Sequence, residues 1–157
     1  MNSKITLILT ASFIFFIFTV SAAFAFERCI MCGMDAQKSE TKFTAQVIKG
    51  TKDVPAGEYS FCCLHCLLLF KTRLKEGEIG TVFARDYNTV TEKYDSGEMI
   101  NSSKAFYLIE SDLRPKGSMV PFMLIFSTKK TAEIFKKAYG GKILDWKEVW
   151  EYTEARK

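Results

Sequence analysis

The sequence predicts an α+β fold, a single domain of two similar ββαβ lobes. Three observations carry this. Two stretches of the chain run through the same order of strand, strand, helix and strand; each helix is followed by glycine; and each stretch is too short to bury a core by itself.

In the first stretch Phe43 to Ile48 alternates apolar and polar residues, as a half-buried strand does. The turn-rich segment Lys49 to Gly57 leads into a second strand, Glu58 to Cys62. Leu64, Leu67, Leu68, Phe70 and Leu74 then recur at helical spacing over Leu64 to Lys75. Gly77 and Gly80 are read as the end of that helix, and Thr81 to Tyr87 as the third strand. After a polar joint from Asp95 to Ser103 the order repeats. Lys104 to Glu110 is a strand, Arg114 to Gly117 a turn, and Met119 to Phe126 a buried strand. Ser127 or Thr128 caps a helix from about Lys129 to Tyr139, Gly140-Gly141 closes it, and Lys142 to Trp146 is the last strand. The lobes so defined cover about 26–95 and 103–150, within a domain of 26–157.

The 157 residues are 48% apolar and 25% charged, which fits one packed domain and excludes disorder. A net charge of +4, spread over scattered lysines without a basic block, gives no support for nucleic-acid binding. Residues 1–25 read as a signal peptide. Lys4 supplies the positive start, Ile5 to Val20 an uncharged apolar run, and Ala23-Phe24-Ala25 a small-x-small cleavage pattern. An uncleaved membrane anchor over residues 5–26 is the alternative, since a span needs roughly 20 apolar residues; the small residues before Phe26 favour cleavage. Glu27 and Arg28 argue against a lipid anchor on Cys29. The chain is therefore expected in the periplasm, touching the membrane only through an uncleaved signal segment.

That compartment is oxidising, so paired cysteines are the default there. Five is an odd number, and Cys29, Cys32, Cys62, Cys63 and Cys66 all lie before residue 67. A local site accounts for this better than a set of staples between distant segments. Cys29-Ile30-Met31-Cys32 is a C-x-x-C whose two sulfurs can converge on one ion, with Gly33 free to take the positive φ of a tight turn. The competing redox reading wants a strand before the motif and a helix starting at its first cysteine, and so close to the cleavage point no strand fits. Cys62, Cys63 and Cys66 stand where a strand hands over to a helix. There Cys62 and Cys66, or Cys63 and Cys66, share a face, and the helix N-terminus favours thiolate. Burial as small apolar side chains is the alternative for any single one of them.

His65, the only histidine, lies inside this cluster but between Leu64 and Leu68 on the helix, so it is a ligand candidate that can equally point away. Met34 and Met119 raise the question of the metal, because thioethers select Cu(I) where zinc takes thiolate and imidazole. Met119 lies at a turn-to-strand junction, a rim position, whereas Met123 is read as core. Lys129, Lys130, Lys136 and Lys137 are read as a solvated helix face, and Trp146, Trp150 and Tyr152 as packing residues. No Ser-His-Asp order, phosphate loop or acid pair points to catalysis, so no enzyme activity is expected.

Cys32-Gly33-Met34, Lys104 to Ile109, and Gly117 to Phe122 ahead of Ala132, Phe135 and Gly140-Gly141 together resemble NosL, the accessory proteins of nitrous oxide reductase. The resemblance spans about Arg28 to Val149. It implies a periplasmic Cu(I)-binding protein of two ββαβ units that delivers copper to the reductase, with Cys32 and Met34 in the family's C-G-M motif and Met119 as the distant thioether. The chain departs from the pattern in adding Cys29, in adding the thiols Cys62, Cys63 and Cys66, and in lacking a lipid-anchoring cysteine. The added thiols resemble the Cys-rich knuckles of TRASH and YHS heavy-metal modules. Two alternatives stand beside a copper metallochaperone. One is a structural zinc site of Cys29, Cys32, Cys63 and Cys66, on C-x2-C…C-x2-C spacing with an unusually long interval; the other is a thiol-disulfide oxidoreductase.

Overall fold

The computed structural model describes residues 27–90 and 97–155; the signal-peptide reading of residues 1–25 lies outside them. Strands β1 (Phe43–Lys49) and β2 (Gly57–Phe61), helix α1 (Leu64–Leu74) and strand β3 (Glu78–Arg85) form the first ββαβ unit. Strand β4 (Met99–Asn101) follows, then β5 (Phe106–Ile109), β6 (Met123–Phe126), helix α2 (Lys129–Tyr139), β7 (Lys142–Leu144) and helix α3 (Trp146–Glu154). Both sheets are antiparallel. One runs β2-β1-β3-β4 and the other β6-β5-β7, so each unit puts its first strand in the middle.

The alternation read in β1 is the alternation of its faces. Phe43, Ala45 and Val47 are buried under α1, whose Leu64, Leu67, Leu68, Phe70 and Leu74 form the opposing stripe. Phe70 packs its ring 5.1 Å from Phe61 of β2. Strands β5 and β6 bury both faces, which explains the unbroken apolar run Met123–Phe126. Tyr107, Ile109, Met123 and Ile125 join the core of the first lobe, while Leu108, Leu124 and Phe126 pack with Ala132 and Phe135 of α2. One core thus runs through both lobes.

Three expectations are corrected. Gly80 lies inside β3, which starts at Glu78, three residues before the expected Thr81; a Cβ there would come within 2.9 Å of the Ile48 side chain, where the β1–β3 register is irregular. The polar joint contains β4, paired to β3 through Phe83 and Asn101. Trp146, Trp150 and Tyr152 sit on a helix. Asp145 accepts from the Glu148 N–H at 2.9 Å and the Glu148 carboxylate accepts from the Asp145 N–H at 2.8 Å, a reciprocal cap that starts α3 where the seventh strand was expected to continue. Among the described residues no helix is long and apolar enough to cross a membrane.

Candidate metal centre

The N-terminal thiols lie on a tight knuckle. Arg28 pairs with Asp35 in an isolated antiparallel bridge, and inside it the Cys29 N–H donates to the Met34 carbonyl and the Gly33 N–H to the Cys29 carbonyl, each at 2.8 Å. Gly33 has φ +74°, the conformation expected of it. The Ile30 N–H donates to the Ser60 carbonyl at 3.1 Å, which docks the knuckle on the end of β2. Cys29 is therefore in a turn and not at a helix start, so the local geometry a C-x-x-C redox motif wants is missing.

Cys62 and Cys63 close β2 and lead into α1. Cys63 is the N-cap residue, with extended backbone and no capping bond from its thiol, which leaves that sulfur free to face its neighbours. The backbone here is held from outside: the Ser39 and Thr41 hydroxyls both donate to the Cys62 carbonyl. The buried Arg85 guanidinium in turn donates to the carbonyls of Gln37 and Ser39 at 2.8 and 2.7 Å, fixing the loop that carries those hydroxyls.

All five cysteines are free thiols. The sulfurs of Cys29, Cys32, Cys62 and Cys66 lie within 4.8 Å of one another, with Cys32 exposed and the other three buried. Cys62 is the hub: its sulfur is 3.5 Å from that of Cys32, 3.6 Å from Cys66 and 3.8 Å from Cys63. The second lobe adds one more sulfur, the Met119 thioether, 3.8 Å from the Cys66 thiol.

The loop before Met119 is tied to the first lobe. The Glu40 N–H donates to the Lys116 carbonyl at 3.0 Å, and the Lys116 N–H donates to the Glu40 carboxylate at 2.8 Å. Gly117, at φ +68°, passes so close to Ser39 that a Cβ would lie 2.8 Å from the Ser39 Cα. Only glycine takes both the conformation and the approach without strain.

The close thiols shift one another's ionisation in opposite directions. Cys62, hydrogen-bonded first to Cys29 and then to Cys63 and Cys66, is held well above the usual thiol range. Bonds from Cys62 and then Cys66 hold Cys29 low, and the same two partners bring Cys63 down to about 3. Cys66 is pushed up, chiefly by its bond to Cys29. Thiols packed this closely are a soft donor set that a cation can enter by displacing protons.

Among the residues read from sequence, the mutually close set contains Cys62 where the four-thiolate zinc spacing has Cys63. Cys63 flanks it through Cys62. His65 lies outside that set, half-buried on α1. Met34 is 38% exposed, with its carbonyl engaged by Cys29, and its thioether is not among the sulfurs in contact around Cys62 and Cys66. Ile30 and Val120, next to Cys29 and Met119 in sequence, are 52% and 70% exposed, apolar positions that the cysteine and methionine pattern does not single out.

The family model of NosL matches residues 23–153 of the chain. A solved structure titled as the copper chaperone NosL from Shewanella denitrificans is similar in fold, with a TM-score of 0.59 and 21% identity over 77% of this chain and 87% of that one. No curated protein matches.

Proposed function

The chain belongs to the NosL family, and from that membership and the sulfur cluster we propose that it is a periplasmic Cu(I) metallochaperone. Its cargo passes to a copper-accepting client, for which nitrous oxide reductase is the family's implied candidate. The observation that carries the reading is a buried thiol group with one exposed member, Cys32, and a thioether beside it. The similar fold of a protein titled as a copper chaperone supports it.

Soft sulfur donors favour Cu(I), and Cu(I) tolerates few ligands, so one bond can be exchanged while the others hold. Cys32, the thiol open to solvent, is the bond to exchange. A sulfur from the client takes its place, Cys32 regains a proton, and the ion moves across without a change in oxidation state. Ile30, Met34 and Val120, exposed apolar side chains next to or near the cluster's sulfurs in sequence, offer a client apolar surface to dock on. No substrate bond is made or broken.

One observation favours a second reading. Tetrahedral zinc with bonds of about 2.3 Å sets its sulfurs about 3.8 Å apart, near the separations around Cys62. A structural zinc site of Cys29, Cys32, Cys62 and Cys66 would then hold the knuckle to α1. Far- and near-ultraviolet circular dichroism before and after metal removal separates the two. A chaperone keeps its fold when emptied; a structural zinc site loses it.

A further inference from the structure

The cluster holds more sulfur than one Cu(I) uses. Two groups of donors can be drawn, and they share an edge. The first is Cys29, Cys32, Cys62 and Cys66, mutually within 4.8 Å. The second is Cys62, Cys63, Cys66 and Met119: Cys62 is 3.8 Å from Cys63 and 3.6 Å from Cys66, and Cys66 is 3.8 Å from Met119. Cys62 and Cys66 thus link Cys63 on one side to Met119 on the other. The common edge is the Cys62–Cys66 pair. Cys62 lies just before the N-cap and Cys66 on the first turn of α1, and their sulfurs meet at 3.6 Å across that junction.

Resting on the reading of the site as a Cu(I) carrier, the geometry points to a two-copper centre in which the Cys62 and Cys66 thiolates bridge the ions. One ion is completed by Cys29 and Cys32 and the other by Cys63 and Met119. Bridging thiolates let two monovalent ions be held with fewer negative charges than two separate sites need, which matters in a buried cluster. Each thiol that binds gives its proton to water, and copper stays Cu(I) throughout. The two ions differ in access. The first has the exposed Cys32 and is the one exchanged, while the second is capped by Met119 from the other lobe.

The test is anaerobic loading with Cu(I) in the presence of a competing chelator, read by native mass spectrometry and copper-edge X-ray absorption. Two retained equivalents with a copper–copper scattering path are expected. Met119→Leu and, separately, Cys63→Ser should each lose one equivalent and the copper–copper path while keeping the other ion. Because Cys63 is buried and Met119 only partly so, Met119→Leu alone decides should the cysteine variant fail to fold. A single retained equivalent in the unaltered protein, or two equivalents retained by Met119→Leu, overturns the two-copper centre and leaves the carrier reading standing. No retained copper overturns both.

Discussion

The Cys66 thiol meets the Met119 thioether at 3.8 Å although 53 positions separate them in sequence. This contact joins the thiol-bearing first lobe to the second, and it depends on the Gly117 turn that lays the loop against Ser39. Gly117→Ala is expected to cost about 2–3 kcal/mol, combining a left-handed backbone with a displaced loop, and to weaken Cu(I) binding as Met119 shifts. Gly140→Ala serves as control. Its φ of +71° and ψ of −166° are a conformation nearly confined to glycine, but nothing lies within 4 Å of the added Cβ, so a cost of about 1–3 kcal/mol with unchanged copper affinity is expected. Urea unfolding and copper competition on both variants check this.

Met34→Ala removes a half-exposed side chain that adds little to the core. The fold should be intact, with a urea midpoint close to that of the unaltered protein. Cu(I) affinity should fall, but less than for Cys32→Ser. Unchanged affinity in a competition assay would remove Met34 from the site.

Tyr107 is fully buried in the shared core, and its hydroxyl donates to the Ser102 carbonyl at 2.9 Å. Burial pushes its pKa well above the ordinary tyrosine value. The folded state thus holds the proton that the unfolded chain gives up near pH 10, so stability is full below that pH and declines above it. Tyr107→Phe should cost about 1 kcal/mol at neutral pH. The loss relative to wild type should shrink as the pH is raised from about 8 to about 11, measured by urea unfolding at both.

Asp145 starts α3 through its reciprocal bonds with Glu148. Asp145→Ala should lower stability by about 1 kcal/mol. Copper affinity should not change, since α3 carries no sulfur of the cluster. Parallel thermal melts and copper titrations give both numbers.

The elements legible in sequence are those whose burial has a clean period. Phe43, Ala45 and Val47 mark β1, and the leucines of 64–74 mark α1, because one face of each meets the same core. Strand β4 left no such mark: it is three residues long, and pairing with Phe83 to Arg85 makes it a strand. Helix α3 had a signal in Asp145 and Glu148, but the apolar run ahead of them read as a strand that would continue. For the site, spacing brought out both cysteine groups, but C-x2-C spacing pairs Cys63 with Cys66 where the close set has Cys62. What separates them is three-dimensional: Ser39 and Thr41 anchor the Cys62 carbonyl from a distant loop, and the knuckle docks through Ser60, setting Cys62 beside Cys32. The approach of Met119 to Cys66 is equally beyond local pattern, since it arises where two lobes share one core.

The most direct test of the carrier reading is an anaerobic titration of the protein with Cu(I) against a chromophoric chelator, with Cys32→Ser and Cys66→Ser alongside. The account predicts that the unaltered protein outcompetes the chelator, that each variant weakens binding by at least about tenfold, and that the fold is the same with and without copper. Copper left entirely with the chelator, or stoichiometric zinc that copper cannot displace without unfolding the chain, would contradict it.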